Sequence, residues 1–161
     1  MSAEASSVKY LIFSLNKEYY GIPISKVREV IRFVNITPVH ETLKFIKGVI
    51  NLRGKIIPII DMRLKFGLQE NQYNDRTIFI IVDIHGVKSV FNMGITVESV
   101  HDVTDINEET MEKAPEIGLK LKSQYLSGIA KIKDKMIMLL NMDRILTTED
   151  VILMKDFQKN E

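Results

Sequence analysis

The feature that most constrains the fold is that the chain repeats itself. Residues 21–30 (GIPISKVREV) align without gaps on residues 94–103 (GITVESVHDV), sharing Gly21/Gly94, Ile22/Ile95, Val27/Val100 and Val30/Val103, with Glu29 facing Asp102. Residues 45–62 match residues 125–142 in the same way. Gly48/Gly128, Lys55/Lys135, Ile57/Ile137 and Met62/Met142 are identical there, and most other apolar positions stay apolar. A strand-like run precedes each set, residues 9–15 in one half and 76–82 in the other. Three blocks recurring in the same order indicate a duplicated unit. The first pair of blocks is 73 residues apart and the second 80, which places a longer connection in the second half, around residues 107–122.

The repeated unit is β in character. Runs such as IIPII (56–60) and TIFIIV (77–82) are β-branched, too short for ordinary helices and bounded by Gly, Asn and Asp. The expected fold is therefore mainly β, with two tandem, related five-stranded barrel subdomains, the first about 16–70 and the second about 76–142. Terminal segments should pack across them, and residues 1–7 (MSAEASS) should be disordered. Barrels this small fill their interiors with side chains, so function is expected on surfaces and in the cleft between halves. Pro58 lacks a ladder donor and suggests an edge strand or a bulge. Val27, Val30 and Ile31 after Ser25 have the spacing of a short helix, and Thr147–Asp150 followed by Ile152, Leu153 and Phe157 that of a C-terminal helix.

Composition narrows the chemistry. Across 161 residues, 22 basic and 21 acidic side chains leave a formal net charge of +1, so no global field favours phosphate backbones or anionic lipid. The chain has no cysteine, which removes disulfides, thiolate metal sites and cysteine nucleophiles together. Neither a signal-type start nor a long apolar run is present, and cytoplasm is the expected compartment, without membrane insertion. His40, His85 and His101 have no ligand-like spacing, and nucleotide cradles and nucleophile elbows are absent, so neither a metal, a cofactor nor an enzyme activity is expected. His101 and Asp102 are adjacent, and neighbours on a strand point to opposite faces. The lysines at 131, 133 and 135 leave one competing reading, an RNA-binding small barrel, but no aromatic residues interleave with them for stacking and a solvated strand face accounts for them.

The segment YGIPISKVREV (20–30), followed by ITPV (36–39) and FIKGVINLRGKIIPIIDMR (45–63), resembles the signature of the CheW family of chemotaxis coupling proteins. GITVESVHDV (94–103) and YLSG (125–128) continue the resemblance, which spans about residues 8–155 as a single domain. His40 stands where the family often has proline, and Glu98 where it often has aspartate. The resemblance implies two intertwined SH3-like barrels acting as a non-enzymatic adaptor between the cytoplasmic hairpin tip of chemoreceptors and the regulatory domain of the kinase CheA. A coupling adaptor of another CheA-like pathway is the nearest alternative. On the family pattern, Val27, Val100 and Val103 match positions implicated in receptor contact. Glu29 and Arg53 match a charged pair near that surface, and Gly48 and Gly94 match positions that permit turns or close backbone approach. Lys47 and Asn74 are the kinase-facing candidates.

Overall fold

The computed structural model describes residues 7–39, 44–68, 72–85, 90–113, 123–146 and 150. Its strands, in chain order, are β1 (Ser7–Leu15), β2 (Glu18–Pro23), β3 (Val27–Arg32), β4 (Ile46–Leu52), β5 (Lys55–Ile60), β6 (Ile78–His85), β7 (Val90–Val97), β8 (Ser99–Asn107), β9 (Leu126–Ile132) and β10 (Lys135–Leu140). Single-turn helices α1 (Met62–Lys65) and α2 (Met142–Ile145) follow β5 and β10. Three hairpins turn on Asn16-Lys17, Arg53-Gly54 and Lys133-Asp134, with every central residue at a φ between 47° and 85°. That is the two-residue turn whose twist matches the flanking strands.

The strands form two five-stranded sheets. Barrel A has the order β8-β1-β2-β10-β9 and barrel B the order β3-β6-β7-β5-β4. Adding five to β1–β5 and subtracting five from β6–β10 converts one order into the other. The registers agree as well: Ile59 pairs with Gly94 where Leu139 pairs with Gly21, and the bulge between Ile46 and Gly48 is repeated opposite Leu139 and Leu140. Each sheet curls until a short bridge, Thr37 to Val49 in B and Glu112 to Ile129 in A, joins its outer edges. The duplication thus holds strand for strand.

The barrels do not follow one another along the chain. Residues 16–70 and 76–142 each contribute to both sheets, because a 3₁₀ turn at Ile24–Lys26 carries the chain from β2 in barrel A into β3 in barrel B. The bend at Glu98 does the reverse between β7 and β8. The consecutive bounds read from the repeat are therefore replaced by exchange, the intertwining that the family resemblance implies: each repeat gives its first two strands to one sheet and its last three to the other.

This exchange explains the unbroken apolar runs. On β1, Leu11, Phe13 and Leu15 enter the core between the barrels, while Tyr10 and Ile12 line the interior of barrel A. On β6, Ile80, Val82 and Ile84 face the shared core, and Phe79 and Ile81 fill barrel B. Both faces are buried, so alternation between polar and apolar residues disappears. Each fully buried Ile or Phe contributes roughly 1.5–3 kcal/mol.

Two local expectations change. Residues 27–31 are strand rather than helix: β3 pairs with β6, and a bulge between Val27 and Glu29 turns Val27 and Val30 to the same side, which is the spacing that imitates a helix. Pro58 is on an inner strand, since β5 lies between β7 and β4. Its partner Val49 gives both backbone groups to Thr37, and pairing with β7 begins only at Ile59, so no ladder bond needs the missing N–H. Of the expected C-terminal helix only Asp150 is described, buried and accepting a 2.9 Å hydrogen bond from Lys65 Nζ; the rest lies outside the described residues, as do residues 1–6. Ser7, the last of the expected disordered start, opens β1.

Candidate functional site

Glu29 and Arg53 are brought together across barrel B. Arg53 sits at the tip of the β4–β5 hairpin with φ 52°, followed by Gly54 at 85°, and the Gly54 N–H donates to Asn51 Oδ1 at 2.9 Å. This fixes the backbone so that Arg53 Nη2 donates to Glu29 Oε1. The side chains differ in exposure, 71% for Arg53 and 27% for Glu29, so the pair is a rim contact. Its sequence signal was the matching family arginine and glutamate, together with Gly54, which permits the turn.

The valines lie on a different side of their strands. Val27 pairs with Val82 and Val100 with Phe13, both partners belonging to the shared core, and both valines are half-buried against it. Val103 pairs with core residue Leu11 but is 49% exposed. The bulges in β3 and β8 separate these valines from Glu29 and Asp102, which turn toward the barrel mouths. The structure therefore divides the candidates into a face beside the junction of the barrels and a rim over barrel B. Val30, the counterpart of Val103 and 43% exposed, joins the first group. The repeat alignment already paired those two residues.

The remaining candidates are less superficial or serve turns. Gly48 is buried at φ 146°, and a Cβ there would lie 2.1 Å from the Thr37 carbonyl oxygen. Gly94 is buried under barrel B, where a Cβ would meet Ile59 Cδ1 at 2.6 Å. Both glycines permit close approach of strands rather than offering contact surface. Lys47 is half-buried on β4. Asn74 builds the turn into β6: its Oδ1 accepts from Arg76 N at 2.7 Å, and its N–H donates to Thr77 Oγ1 at 3.1 Å.

Two polar clusters were not singled out as candidates from the sequence, although Asp61 and Arg63 close the 45–63 motif. Asp61 and Arg63 are buried and joined by Nε and Nη2 hydrogen bonds of 3.0 and 2.7 Å, while Tyr73 OH donates to Asp61 Oδ2 at 2.6 Å. Burial alone would push the Asp61 carboxyl up; the hydrogen bonds from Arg63 and Tyr73 and the guanidinium charge outweigh it and hold the group below its ordinary value. Burial, then the hydrogen bond to Asp61, pushes the Tyr73 phenol up. The second cluster ties the barrels: Lys26 Nζ lies 2.8 Å from Asp143 Oδ2 on α2 and 2.9 Å from His85 Nδ1 at the end of β6.

His101 is held by Ser14 Oγ at 2.6 Å and Ser99 Oγ at 3.2 Å, and its ring packs on Tyr19. His40 lies outside the described residues. Of the lysines considered for RNA, Lys131 pairs with Glu112 at 3.3 Å and Lys135 sits over the Tyr19 ring at 4.8 Å. No group of three or more His, Asp or Glu among the described residues could hold a metal ion, and no helix among them is long and apolar enough to cross a membrane.

Two interlocked barrels with side-chain-filled interiors, and candidate residues on a strand rim and beside a barrel junction, define a two-barrel scaffold fold. The chain belongs to the CheW family: the CheW-like domain model matches residues 9–150. It is 36% identical over 160 residues to the chemotaxis protein CheW of Klebsiella aerogenes, covering 99% of this chain and 94% of that one. The CheW of Helicobacter pylori is 30% identical over 139 residues, covering 86% of this chain and 81% of that protein. Among solved structures, the scaffolding protein TtCheW from Thermoanaerobacter tengcongensis is 37% identical and superposes with a TM-score of 0.79, covering 90% of this chain and 92% of that one. The fold is thus the pair of SH3-like barrels of chemotaxis scaffold proteins.

Proposed function

We propose that this protein is a non-catalytic cytoplasmic adaptor that couples the cytoplasmic hairpin tips of chemoreceptors to the regulatory domain of the histidine kinase CheA, recruited to membrane-associated receptor arrays. The observation that carries this reading is family membership across nearly the whole chain. A face beside two barrels suits an amphipathic receptor helix, with Val27, Val30, Val100 and Val103 as apolar contacts and Glu29–Arg53 as polar rim. Gly48 and Gly94 act on that surface through the backbone they shape. Lys47 and Asn74 are assigned to the kinase side.

Reconstitution of receptor, kinase and this protein tests the reading through kinase autophosphorylation. Receptor control of the kinase should appear only when the protein is added. Arg53→Glu should keep a near-native melting temperature and kinase binding while weakening receptor binding. Equal kinase control with and without the protein would remove the coupling role, and native receptor affinity in folded Arg53→Glu would remove that arginine from the site.

A further inference from the structure

The chain passes between the barrels twice, and the duplication makes the two crossings equivalent, with residues 23–26 corresponding to residues 96–99. At the first crossing the corner between the barrels is closed, because Lys26 Nζ reaches both Asp143 on α2 and His85 at the end of β6. The counterparts of those three residues at the second crossing are Ser99, Arg63 and Asn16. Ser99 brings no charge, Arg63 is turned to Asp61, and the corner holds a cavity of about 310 Å³. Leu15 and Val97 of the shared core line it, as do the exposed side chains of Arg76 and Glu98. Neither of those charges is ion-paired with a described residue. Thr96, which replaces Pro23 of the first crossing, also lines the cavity. Its Oγ1 is buried beside the Tyr73 phenol but forms no well-aligned hydrogen bond with it or with any other described residue.

We infer that this cavity binds a small zwitterion, an α-amino acid with a short aliphatic side chain. Its carboxylate meets Arg76 and the Thr96 hydroxyl, its ammonium group meets Glu98, and its side chain rests on Leu15 and Val97. The charges decide the class. Asp61 compensates Arg63 within the fold, so the cavity presents one further cation, Arg76, and one anion, Glu98. A ligand of single charge would leave one of them opposed, whereas a zwitterion matches both. A buried hydroxyl without an acceptor is costly, and the ligand carboxylate supplies that acceptor. The volume lies at the small end of the roughly 300–1,000 Å³ of small-molecule sites. At the first crossing the ion pair of Lys26 and Asp143 occupies the equivalent corner, so the site belongs to one crossing only. The inference involves neither receptor nor kinase and stands or falls separately from the coupling role.

The probe is L-valine, titrated into the full-length ¹⁵N-labelled protein beside two analogues, valinol without the carboxylate and isovalerate without the amine. The expected result is saturable amide shifts at Arg76, Thr77, Thr96, Val97 and Glu98 with valine, and binding weaker by about tenfold or more for each analogue. Thr96→Val removes a hydroxyl that has no acceptor in the free protein, so it should melt at or above the wild-type temperature and yet bind valine less tightly. Glu98→Gln keeps the oxygen that accepts from the Lys17 N–H; it should weaken valine without weakening isovalerate. Arg76→Gln should weaken valine without weakening valinol. Absence of saturable shifts, equal binding of both analogues, or undiminished valine affinity in the folded variants would overturn the inference. So would displacement of valine by inorganic phosphate from the same amides, which would make the cavity a simple anion site.

Discussion

The corners that close the two barrels follow the same backbone path but carry opposite chemistry. After β5, the Asp61 N–H donates to the Phe45 carbonyl at 2.9 Å; after β10, the Asn141 N–H donates to the Tyr125 carbonyl at 2.8 Å. Each residue then starts a single-turn helix. At the first corner Asp61 is fully buried, caps α1 through Arg63 N and binds the Arg63 guanidinium. At the second, Asn141 makes no side-chain cap, and Asp143, the counterpart of Arg63, turns outward to Lys26 and joins the barrels. A duplicated scaffold keeps its backbone hydrogen bonds because every strand needs them. Side chains at equivalent corners were free to take up different tasks, an internal lock in one barrel and a tie between barrels in the other.

The largest expected effect breaks that comparison at its polar end. Asp61→Ala strands the buried Arg63 charge and should cost roughly 3–5 kcal/mol in denaturant unfolding, whereas Asn141→Ala should cost less than about 1 kcal/mol. A near-equal cost would mean that the two corners are energetically alike. The same lock has a pH signature. Because the folded state holds the Asp61 carboxyl below its unfolded value, its contribution is complete above about pH 4 and is lost as the pH falls further, through the folded value. Asp61→Asn, followed by thermal melting from neutral to acid pH, should flatten that acid limb.

A smaller effect separates the two glycines at the closing bridges. Gly48→Ala meets the Thr37 carbonyl and is strained at its φ, so it should destabilise by roughly 1–3 kcal/mol. At Gly128 the corresponding Cβ would lie 3.1 Å from the Glu112 oxygen, with no left-handed backbone, and the cost should be lower. Chemical denaturation of both variants would show whether bridge strain is shared. The smallest effect concerns the rims. Arg53→Ala removes an exposed ion pair and should change stability by about 0–1 kcal/mol, and Lys133→Ala by even less, measured by thermal melting. A loss of several kcal/mol at Arg53 would turn the rim contact into a structural lock like Asp61–Arg63.

Much of this was legible along the chain. The repeat of residues 21–30 at 94–103 and of 45–62 at 125–142 marks strands that occupy equivalent places, and the Arg53-Gly54 turn is readable from its glycine. The Glu29–Arg53 meeting was legible only through family pattern, since 24 residues and a second strand pair separate the two. The Asp61–Arg63–Tyr73 lock was not legible, because Tyr73 reaches Asp61 through a connection with no periodic signal. The exposure of Val30 and Val103 beside half-buried Val27 and Val100 was likewise hidden, because the bulges set all four on the same side of their strands and only packing against the shared core separates them.

The sequence by itself determined the β character, the duplication, the hairpin turns and which positions are equivalent, since all of these depend on neighbouring residues or on comparing two stretches of chain. Only the tertiary structure decided that β3 crosses to β6 and β8 to β1. The physical reason lies in the repeat itself. As counterparts, β1 and β6 offer β3 apolar ladders of nearly the same pattern, so Val27 could lie against Phe13 as well as against Val82. Local periodicity cannot choose between them. The 3₁₀ turn that leads out of β2, and the core that both barrels share, make the choice.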